Sequence, residues 1–402
     1  MDFEVLIIGS DVNAYYMARC THEAYNKKAY MLIKDNLAFT KHSKIINRIY
    51  NDKIWDENCF ISAVNEFLMK HADKKVVVIS SNETYAEFLV RNKSRFKSNI
   101  LFNYPDMDIL TSLTNKELFY KTYKSSILNF PKTIYFDLKS SSLDDVKLDF
   151  PVVIKPANVV LYNHVSFKGK KKIYKVFDQE ELKDVINSIK SSQYNDTVIL
   201  QEYIPGDDSH LFDSVVYCDK NGKVDLISFA QIGLQEHKPS MVGNAAVLIN
   251  GYNTFGVDNS EMISSIKSFM ETIGYKGFAE FDLKYDHRDH KFKVLEINAR
   301  QGRCSYYISK AGYNLVKILV DDLINNERLD YTIVDKKVML SFVNKSIIKK
   351  YIVNQEFKKE ALKMYKDAVN PLKYEKDFSI FRELLYIKRD KNYNKSYRNY
   401  NW

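Results

Sequence analysis

The sequence predicts a multidomain protein in which an α/β domain is followed by an α+β region. Three observations support this class. Strand-like and helix-like segments alternate through the first hundred residues, hairpin-forming strands dominate after Asp149, and 402 residues exceed the length of one ordinary domain. With 45% apolar and 28% charged residues, the chain has the composition of a water-soluble globular protein.

The N-terminal domain, residues 1–112, is predicted to be Rossmann-like. An apolar strand at residues 5–9 precedes a segment with helical spacing of its large side chains, residues 12–26. The elements that follow are a strand at 29–33, a helix at 62–71, a strand at 76–79 and a helix at 84–95. Because strands separated by helices pair in parallel through right-handed crossovers, we expect a small doubly wound sheet.

A second unit, residues 113–330, is predicted to combine short strands with hairpins. The Asp219-Lys-Asn-Gly222 turn signal predicts one hairpin, and the turn at residues 287–289 predicts another. The predicted helices are 115–123, 179–189 and 261–273. The predicted strands are 133–136, 151–156, 172–176, 198–203, 211–217, 223–230, 278–285 and 291–298.

The C-terminal residues 331–402 are predicted to form an extension with little motif signal. Its last part, from Tyr386 onward, concentrates basic and aromatic side chains. We predict that this tail is a frayed terminus, as chain ends commonly are. The alternative is that it binds an acidic partner.

Charge and cysteine usage exclude several classes of protein. The net charge of +9 suits anionic ligands such as nucleotides, but it is spread along most of the chain, so a solvated lysine-rich surface is favoured over a nucleic-acid groove. The four cysteines are scattered, which excludes a disulfide scaffold and a zinc finger and indicates a reducing cytoplasm. No apolar run approaches the roughly 18 residues that span a bilayer, and the first residues lack the pattern of a signal peptide.

The most informative segment is the acidic hairpin, defined here as residues 277–300. Side chains two apart on a strand share a face, so Glu296, Asn298 and Arg300 point the same way. In any antiparallel register of matching parity, Glu280 and Asp282 lie on that face as well. The segment therefore predicts three carboxylates, an amide oxygen and a guanidinium at one place, although register does not choose between Glu280 and Asp282 as a ligand.

This grouping of oxygen atoms predicts a magnesium site. Carboxylates gathered on one face of a sheet repel one another unless a cation lies between them. Mg²⁺ binds through carboxylates and substrate phosphates while keeping several waters, and Mn²⁺ is the alternative ion. The guanidinium of Arg300 would hold a phosphate oxygen or a substrate carboxylate. A solvent-facing strand with alternating charges is the competing interpretation, which is less favoured because Glu-Ile-Asn-Ala-Arg closes an otherwise apolar strand.

Weaker signals lie upstream of the hairpin. Lys155 ends an apolar strand just before Pro156, where a cation can neutralise phosphate oxygens, and Lys116 lies near the start of a predicted helix. The strand at 198–203 runs into an acidic Pro-Gly turn, whose backbone groups can contact an adenine edge and whose carboxylates can accept from ribose hydroxyls. Each feature taken singly is also common at ordinary strand ends and surface turns.

Taken in order, these features resemble the ATP-grasp superfamily. The matching pieces are Lys116, Phe150-Pro-Val-Val-Ile-Lys155, Gln201-Glu-Tyr-Ile-Pro-Gly-Asp207, Phe281-Asp282 and Glu296-Ile-Asn298-Ala-Arg300. Ile8-Gly-Ser-Asp-Val-Asn and Phe167-Lys-Gly-Lys-Lys-Lys-Ile-Tyr174 are similar to bacterial carboxylate–amine ligases typified by D-aspartate ligase. The resemblance covers about residues 3–325. It implies a Rossmann-like, pre-ATP-grasp substrate domain followed by a two-lobed ATP-grasp fold, with its small lobe over about residues 130–205.

For the nucleotide, the resemblance implies that Lys116 and Lys155 contact the phosphates and the adenine side of ATP. It also implies that Glu202, Tyr203 and Ile204 frame the adenine and that Asp207 or Asp208 approaches the ribose. His210 lies in the same segment, and its position predicts that it faces the nucleotide. The loop at residues 157–171 would close over the phosphates. This loop is usually glycine-rich in the family, but here it contains only Gly169, so closure would rest on its lysines.

For the metal, the resemblance implies that Asp282, Glu296 and Asn298 bind Mg²⁺, which favours Asp282 over Glu280. Arg300 would stabilise the transferred phosphoryl group, with Lys155 as the second catalytic residue. For the acid substrate, position alone suggests Arg19 and Arg303.

The activity implied by the resemblance is an ATP-dependent, ADP-forming joining of a carboxylate to an amine through an acyl phosphate. The acid would be D-aspartate, and the acceptor would be the lysine side chain of a UDP-linked peptidoglycan precursor. One alternative is a ligase of the same fold for another amino acid or peptide in secondary metabolism. The other is a non-catalytic protein whose basic tail binds nucleic acid or an anionic envelope. Monomer and homodimer both remain open.

Overall fold

The N-terminal domain is built on a five-stranded parallel sheet. The structure, a computed structural model, describes residues 2–239 and 241–400. In chain order the domain contains β1 (Phe3–Ile8), α1 (Val12–Tyr25), β2 (Ala29–Ile33), β3 (Ile46–Tyr50), α2 (Glu57–Lys70), β4 (Lys75–Ser80), α3 (Glu83–Arg91) and β5 (Ile100–Leu101). The strand order is β3-β2-β1-β4-β5. The side chains of Asp11, Asp56 and Asn82 cap the N-termini of α1, α2 and α3, respectively.

The sequence prediction missed two strands of this sheet. β3 lies at the edge and has an alternating, half-exposed pattern that includes Arg48 and Tyr50, so it lacks the apolar run of a buried strand. β5 has only two residues. Both are recognisable only from their pairing with β2 and β4.

The small lobe follows the linking helices α4 (Met107–Thr114) and α5 (Lys116–Tyr123). Its elements are β6 (Thr133–Asp137), β7 (Val152–Pro156), α6 (Val159–His164), β8 (Tyr174–Val176), α7 (Gln179–Lys190) and β9 (Thr197–Glu202). The four strands form an antiparallel sheet of order β6-β9-β7-β8, and α7 buries its apolar face in the core of the lobe. The segment at 157–171, predicted as a loop, contains the short helix α6.

An eight-stranded sheet forms the large lobe. Its elements are β10 (Leu211–Cys218), β11 (Val224–Ser228), β12 (Ala230–Gln235), β13 (Ala245–Asn250), α8 (Ser260–Thr272), β14 (Gly277–Asp286), β15 (Lys291–Asn298), α9 (Tyr306–Ala311), α10 (Leu315–Val320), β16 (Thr332–Val334) and β17 (Val338–Ser341). The main order is β15-β14-β10-β12-β13-β17, and β11 pairs with both β10 and β16. The predicted strand at 223–230 is divided near Phe229, because its two halves pair with different parts of β10.

The residues after 330 contribute β16 and β17 to the large sheet and then form α11 (Lys345–Tyr351), α12 (Gln355–Met364) and α13 (Ile380–Asn399). The prediction of a frayed tail was wrong, because α13 is a 20-residue helix held at both ends. Arg382 donates to the carbonyl of Phe39 at 3.1 Å, and the hydroxyl of Tyr397 donates to the carbonyl of Gln235 at 2.7 Å. Asn401 and Trp402, the last residues of the predicted tail, lie outside the described residues.

The N-terminal domain packs directly on the end of the acidic hairpin. The hydroxyl of Tyr16 in α1 donates to the carbonyl of Gly302 at 2.6 Å, and Asn314 donates to the carbonyl of Cys20 at 3.0 Å. One buried apolar cluster joins α1, the large sheet, α9 and α10. None of the described helices is long and apolar enough to cross a membrane.

Candidate active site

A cleft of about 900 Å³ lies between the small sheet and the large sheet. Nearly all the site residues predicted from the sequence line it, namely Lys116, Lys155, Glu202, Tyr203, Ile204, Asp207, Asp208, Asp282, Glu296, Asn298 and Arg300. His210 lies behind the wall. Its ring packs against Gly206 and Phe255, so it supports the turn that follows β9.

The two strands of the acidic hairpin, β14 and β15, pair in a register of the parity that the sequence predicted. Glu280 pairs with Asn298 and Asp282 pairs with Glu296, which places all four side chains on one face. The amide nitrogen of Asn298 lies 3.2 Å from an oxygen of Glu280 and 3.4 Å from an oxygen of Asp282. Asp213 of β10 pairs with Asp282 and adds another carboxylate to the cluster.

These carboxylates are poorly solvated and repel one another. Burial, reinforced by the charges of Glu280 and Glu296, raises the pKa of Asp282 to about 8. Burial and Asp213 raise the pKa of Glu280 well above its ordinary value. Burial alone would also raise the pKa of Glu296, but the cations of Lys116 and Lys172 lower it to about 2. A further cation beside Asp282 would relieve this repulsion.

The donor set fits a hard divalent cation. Asp282, Glu296 and Asn298 offer oxygen ligands of the type that Mg²⁺ prefers. Within the described part of the chain, no group of three or more His, Cys, Asp or Glu side chains is arranged to hold a metal by itself. A magnesium ion here would therefore depend on the amide of Asn298 and on oxygens of a bound phosphate to complete its coordination.

Two lysines, the buried Lys116 and the half-buried Lys155, face the carboxylates. The ammonium group of Lys116, the first residue of α5, forms an ion pair with Glu296. Lys155, near the end of β7, donates to the side-chain carbonyl of Gln201 at 3.0 Å. Burial and the charge of Lys116 lower the pKa of Lys155 to about 8. Two cations held this close together would be stabilised by phosphate oxygens between them.

The chain crosses from the small lobe to the large lobe at residues 202–208. The backbone N–H of Tyr203 donates to the carbonyl of Pro151 at 3.2 Å, and the ammonium group of Lys175 lies 3.6 Å from the centre of the Tyr203 ring. Glu202 accepts from the backbone N–H of Lys132 at 2.8 Å and pairs with Arg288 at 3.1 Å.

The two aspartates of this turn have different partners. Asp207 accepts from the backbone N–H of Ser209 at 2.9 Å. Both carboxylate oxygens of Asp208 accept from Gln235, one from its backbone N–H at 2.9 Å and the other from its side-chain amide at 2.6 Å. Asp207 is therefore the better placed of the two to contact a ribose.

The three arginines singled out in the sequence lie in different environments. Arg300 lines the cleft, with Nε 2.9 Å from a carboxylate oxygen of Glu83. Arg303 also lines the cleft, but it pairs with Glu236 at 2.7 Å. Arg19 lies elsewhere and donates to three backbone carbonyls of the segment at residues 370–373, so it anchors the C-terminal part of the chain.

Sequence reasoning missed Lys172, Lys175, Lys284 and Asp213. Lys284 could have been predicted from the sequence, because it lies two residues after Asp282 on the same strand face. It donates to the carbonyl of Gly206 at 3.3 Å, and burial lowers its pKa to about 8. Asp213 had no such signal, since the pairing of β10 with β14 joins segments distant in sequence.

Individual proteins similar to this chain show its family, although no family model matches the chain. The D-aspartate ligase of Enterococcus faecium (strain Aus0004) is 33% identical over 415 residues, which cover 98% of this chain and 97% of that protein. A D-alanine–D-alanine ligase of Wolbachia pipientis wMel is 25% identical over 231 residues, covering 54% of this chain and 67% of its own length.

Solved structures share the fold at lower identity. The L-amino acid ligase of Bacillus licheniformis matches with a TM-score of 0.57 and 17% identity, over 82% of this chain and 75% of its own. The N5-carboxyaminoimidazole synthetase of Staphylococcus aureus complexed with ADP matches with a TM-score of 0.62 and 14% identity, over 89% and 87%. The similarity to D-aspartate ligase extends over nearly the full length of both proteins, and the solved structures share the fold. The chain therefore belongs to the D-aspartate ligase family of ATP-grasp carboxylate–amine ligases, and is an ATP-dependent enzyme that forms carbon–nitrogen bonds.

Proposed function

We propose that the enzyme joins the side-chain carboxylate of D-aspartate to the lysine side chain of a UDP-linked peptidoglycan precursor. The observation that carries this proposal is the 33% identity to D-aspartate ligase over 98% of the chain, because it spans the N-terminal domain as well as the nucleotide lobes. The four free cysteines and the use of ATP support a cytoplasmic reaction.

In this proposal the cleft holds ATP between its lobes. Lys116 and Lys155 bind the phosphates, which supply the negative charge that two adjacent ammonium groups require. Backbone groups at residues 202–204 contact the adenine, and Asp207 contacts the ribose. The segment at 157–171 covers the phosphates with its lysines and limits the access of water.

Asp282, Glu296 and Asn298 would hold Mg²⁺, or Mn²⁺ as the alternative, against the phosphates. When bound, the ion neutralises charge that develops on the phosphate oxygens during transfer. The repulsion among the carboxylates of the cleft supports this assignment, because it is relieved by a cation at that position.

In the first step, a carboxylate oxygen of the amino acid attacks the γ-phosphorus of ATP. The bond from that phosphorus to the bridging oxygen breaks, ADP leaves, and an acyl phosphate forms. Arg300 orients the transferred phosphoryl group through its planar guanidinium, while Lys155 neutralises a phosphate oxygen. Positioning and charge neutralisation account for the rate, so no covalent bond to the enzyme is required.

In the second step, the neutral amine attacks the acyl carbon. The bond to the phosphate oxygen breaks, inorganic phosphate leaves, and the nitrogen loses a proton to give the amide. The cations that line the cleft stabilise the departing phosphate. The products are the amide, ADP and phosphate.

The proposal is tested by supplying ATP, Mg²⁺ and a panel of amino acids and amine acceptors to the purified enzyme. We expect ADP and phosphate to be released when D-aspartate and a lysine-containing UDP-linked precursor are both present. Omission of either substrate should abolish release. Preference for another acid would assign the enzyme to a different ligation of the same type, and release of AMP would contradict the acyl-phosphate route.

A further inference from the structure

The C-terminal helix α13 exposes an apolar face to solvent. Ile380, Phe381, Leu384 and Ile387 are 52–70% exposed, as is Phe378 just before the helix. The positions 380, 384 and 387 follow the spacing that places side chains on one side of a helix. The opposite side carries the buried Arg382, Tyr386 and Tyr397, which attach the helix to the rest of the protein.

Cations continue this face toward the end of the helix. The exposed side chains of the second half include Lys388, Lys391, Lys395 and Arg398. At the other end, Arg382 donates to the carbonyls of Phe39 and Lys41, which brings a loop of the N-terminal domain beside the apolar residues. That loop adds the exposed cations Lys41 and Lys44.

Acidic groups are fewer on this part of the surface. Glu375 is exposed, and Glu383 and Asp390 are half-buried. The surface therefore combines five large apolar side chains with a majority of cations around them. Large apolar side chains that are exposed next to one another and bordered by polar residues are typical of interaction sites.

The combination of charges and apolar side chains selects among partners. A second copy of this chain would bring its own cations against the first across a two-fold axis, and these like charges repel. A nucleic acid would neutralise the cations but leave the apolar residues in water. A bilayer containing anionic lipids accepts both, since apolar side chains enter its interfacial region while lysines contact the headgroups.

We propose that this face, which consists of Phe378, Ile380, Phe381, Leu384, Ile387, Lys388, Lys391, Lys395 and Arg398, binds the surface of an anionic lipid bilayer. The helix lies along the membrane without crossing it. The contacts of Tyr393 and Tyr397 with the large lobe lie on the protein side of the helix, so docking leaves the cleft walls in place. The inference does not depend on the identity of the acid or the amine.

The test uses the full chain and sedimentation with vesicles. We expect it to sediment with vesicles of phosphatidylglycerol and phosphatidylcholine, to stay in solution with pure phosphatidylcholine, and to be released from anionic vesicles by added salt. The double variant Leu384→Gln/Ile387→Gln should bind at least about tenfold more weakly. Lys388→Gln and Lys391→Gln should each weaken binding about fivefold.

Matched controls lie on the N-terminal domain. Met69→Gln changes an apolar side chain that is 56% exposed, and Lys53→Gln changes an exposed lysine. Both should bind vesicles like the unchanged protein, and all variants should keep their rate of ADP release in vesicle-free solution.

Three results would overturn the proposal. The first is equal binding of anionic vesicles by the controls and the α13 variants, and the second is no binding of anionic vesicles at low salt. The third is a concentration-dependent dimer in analytical ultracentrifugation that is lost in Leu384→Gln/Ile387→Gln, which would assign the face to a second copy of the chain.

Discussion

Arg300 of the acidic hairpin and Glu83 of the N-terminal domain form an ion pair between the two domains, with the arginine Nε 2.9 Å from the glutamate Oε1. Glu83 is the first residue of α3, and Arg300 follows the end of β15. Burial would lower the pKa of Arg300, but the carboxylates of Glu83, Glu280 and Asp11 raise it above its ordinary value. The N-terminal domain thereby helps to fix the guanidinium that we assign to the transferred phosphoryl group.

Glu83→Gln should lower the turnover number about tenfold or more while changing the KM for ATP little. The neutral amide no longer fixes the orientation of the guanidinium during transfer, and orientation contributes mainly to the chemical step. Steady-state kinetics with saturating amino acid and amine measure this effect. Glu87→Gln, one turn later on the same helix, is the matched control, because Glu87 pairs with Arg91 on the surface. Equal rates in the two variants would contradict the positioning role.

Glu296→Gln should abolish turnover while leaving the protein folded. The change removes the negative charge of a proposed metal ligand and the ion-pair partner that holds Lys116 in place, so the metal is bound more weakly and the lysine is less well positioned. Release of ADP measures the activity, and circular dichroism measures the fold. Asp289→Asn is the control, since Asp289 pairs with Lys293 near the hairpin turn. Activity near that of the control would reject the metal assignment.

The acidic hairpin could be predicted because its side-chain arrangement is determined by residues that are close in sequence. Its two arms are separated by a short turn, so the period of two along each strand fixes which side chains share a face. The irregularity in the pairing lies between Asp282 and Leu283, and it leaves the pairs Glu280–Asn298 and Asp282–Glu296 in the expected parity. The order of the upstream lysines and the turn after β9 then supported the ATP-grasp resemblance.

The parts that were not predicted depend on contacts between distant segments. The pair of Arg300 with Glu83 joins residues more than two hundred positions apart in sequence. The tail was expected to fray because it is a chain end, yet Arg382, Tyr386 and Tyr397 are buried against other parts of the fold. Tertiary packing, rather than intrinsic helix propensity, stabilises such a helix.

Nucleotide binding should weaken as the pH rises above about 8. Burial, with a contribution from Lys116, lowers the pKa of Lys155 to about 8, and burial does the same for Lys284. Both groups are charged below that pH and become neutral above it, so the positive charge that they contribute to the nucleotide cleft is lost on the alkaline side. Titration calorimetry of ADP without metal should show the dissociation constant rising up to about tenfold per pH unit for each lysine that must be protonated.

Lys155→Met should reduce the slope of this pH dependence, because one of the two titrating lysines is removed. Lys291→Met is the control, since Lys291 is exposed at the start of β15. A dissociation constant that is independent of pH in the unchanged protein would show that neither lysine contacts the nucleotide.

Tyr393→Phe should destabilise the protein and loosen one wall of the cleft. The Tyr393 hydroxyl donates to a carboxylate oxygen of Glu236 at 2.6 Å and accepts from Arg303 at 2.9 Å. Its removal leaves buried charged groups with one partner fewer, which should lower the free energy of unfolding by about 1–3 kcal/mol. Urea unfolding measures the change. Tyr50→Phe, at a side chain that is 65% exposed, should leave stability unchanged, and the same small effect from both variants would mean that α13 does not support Arg303.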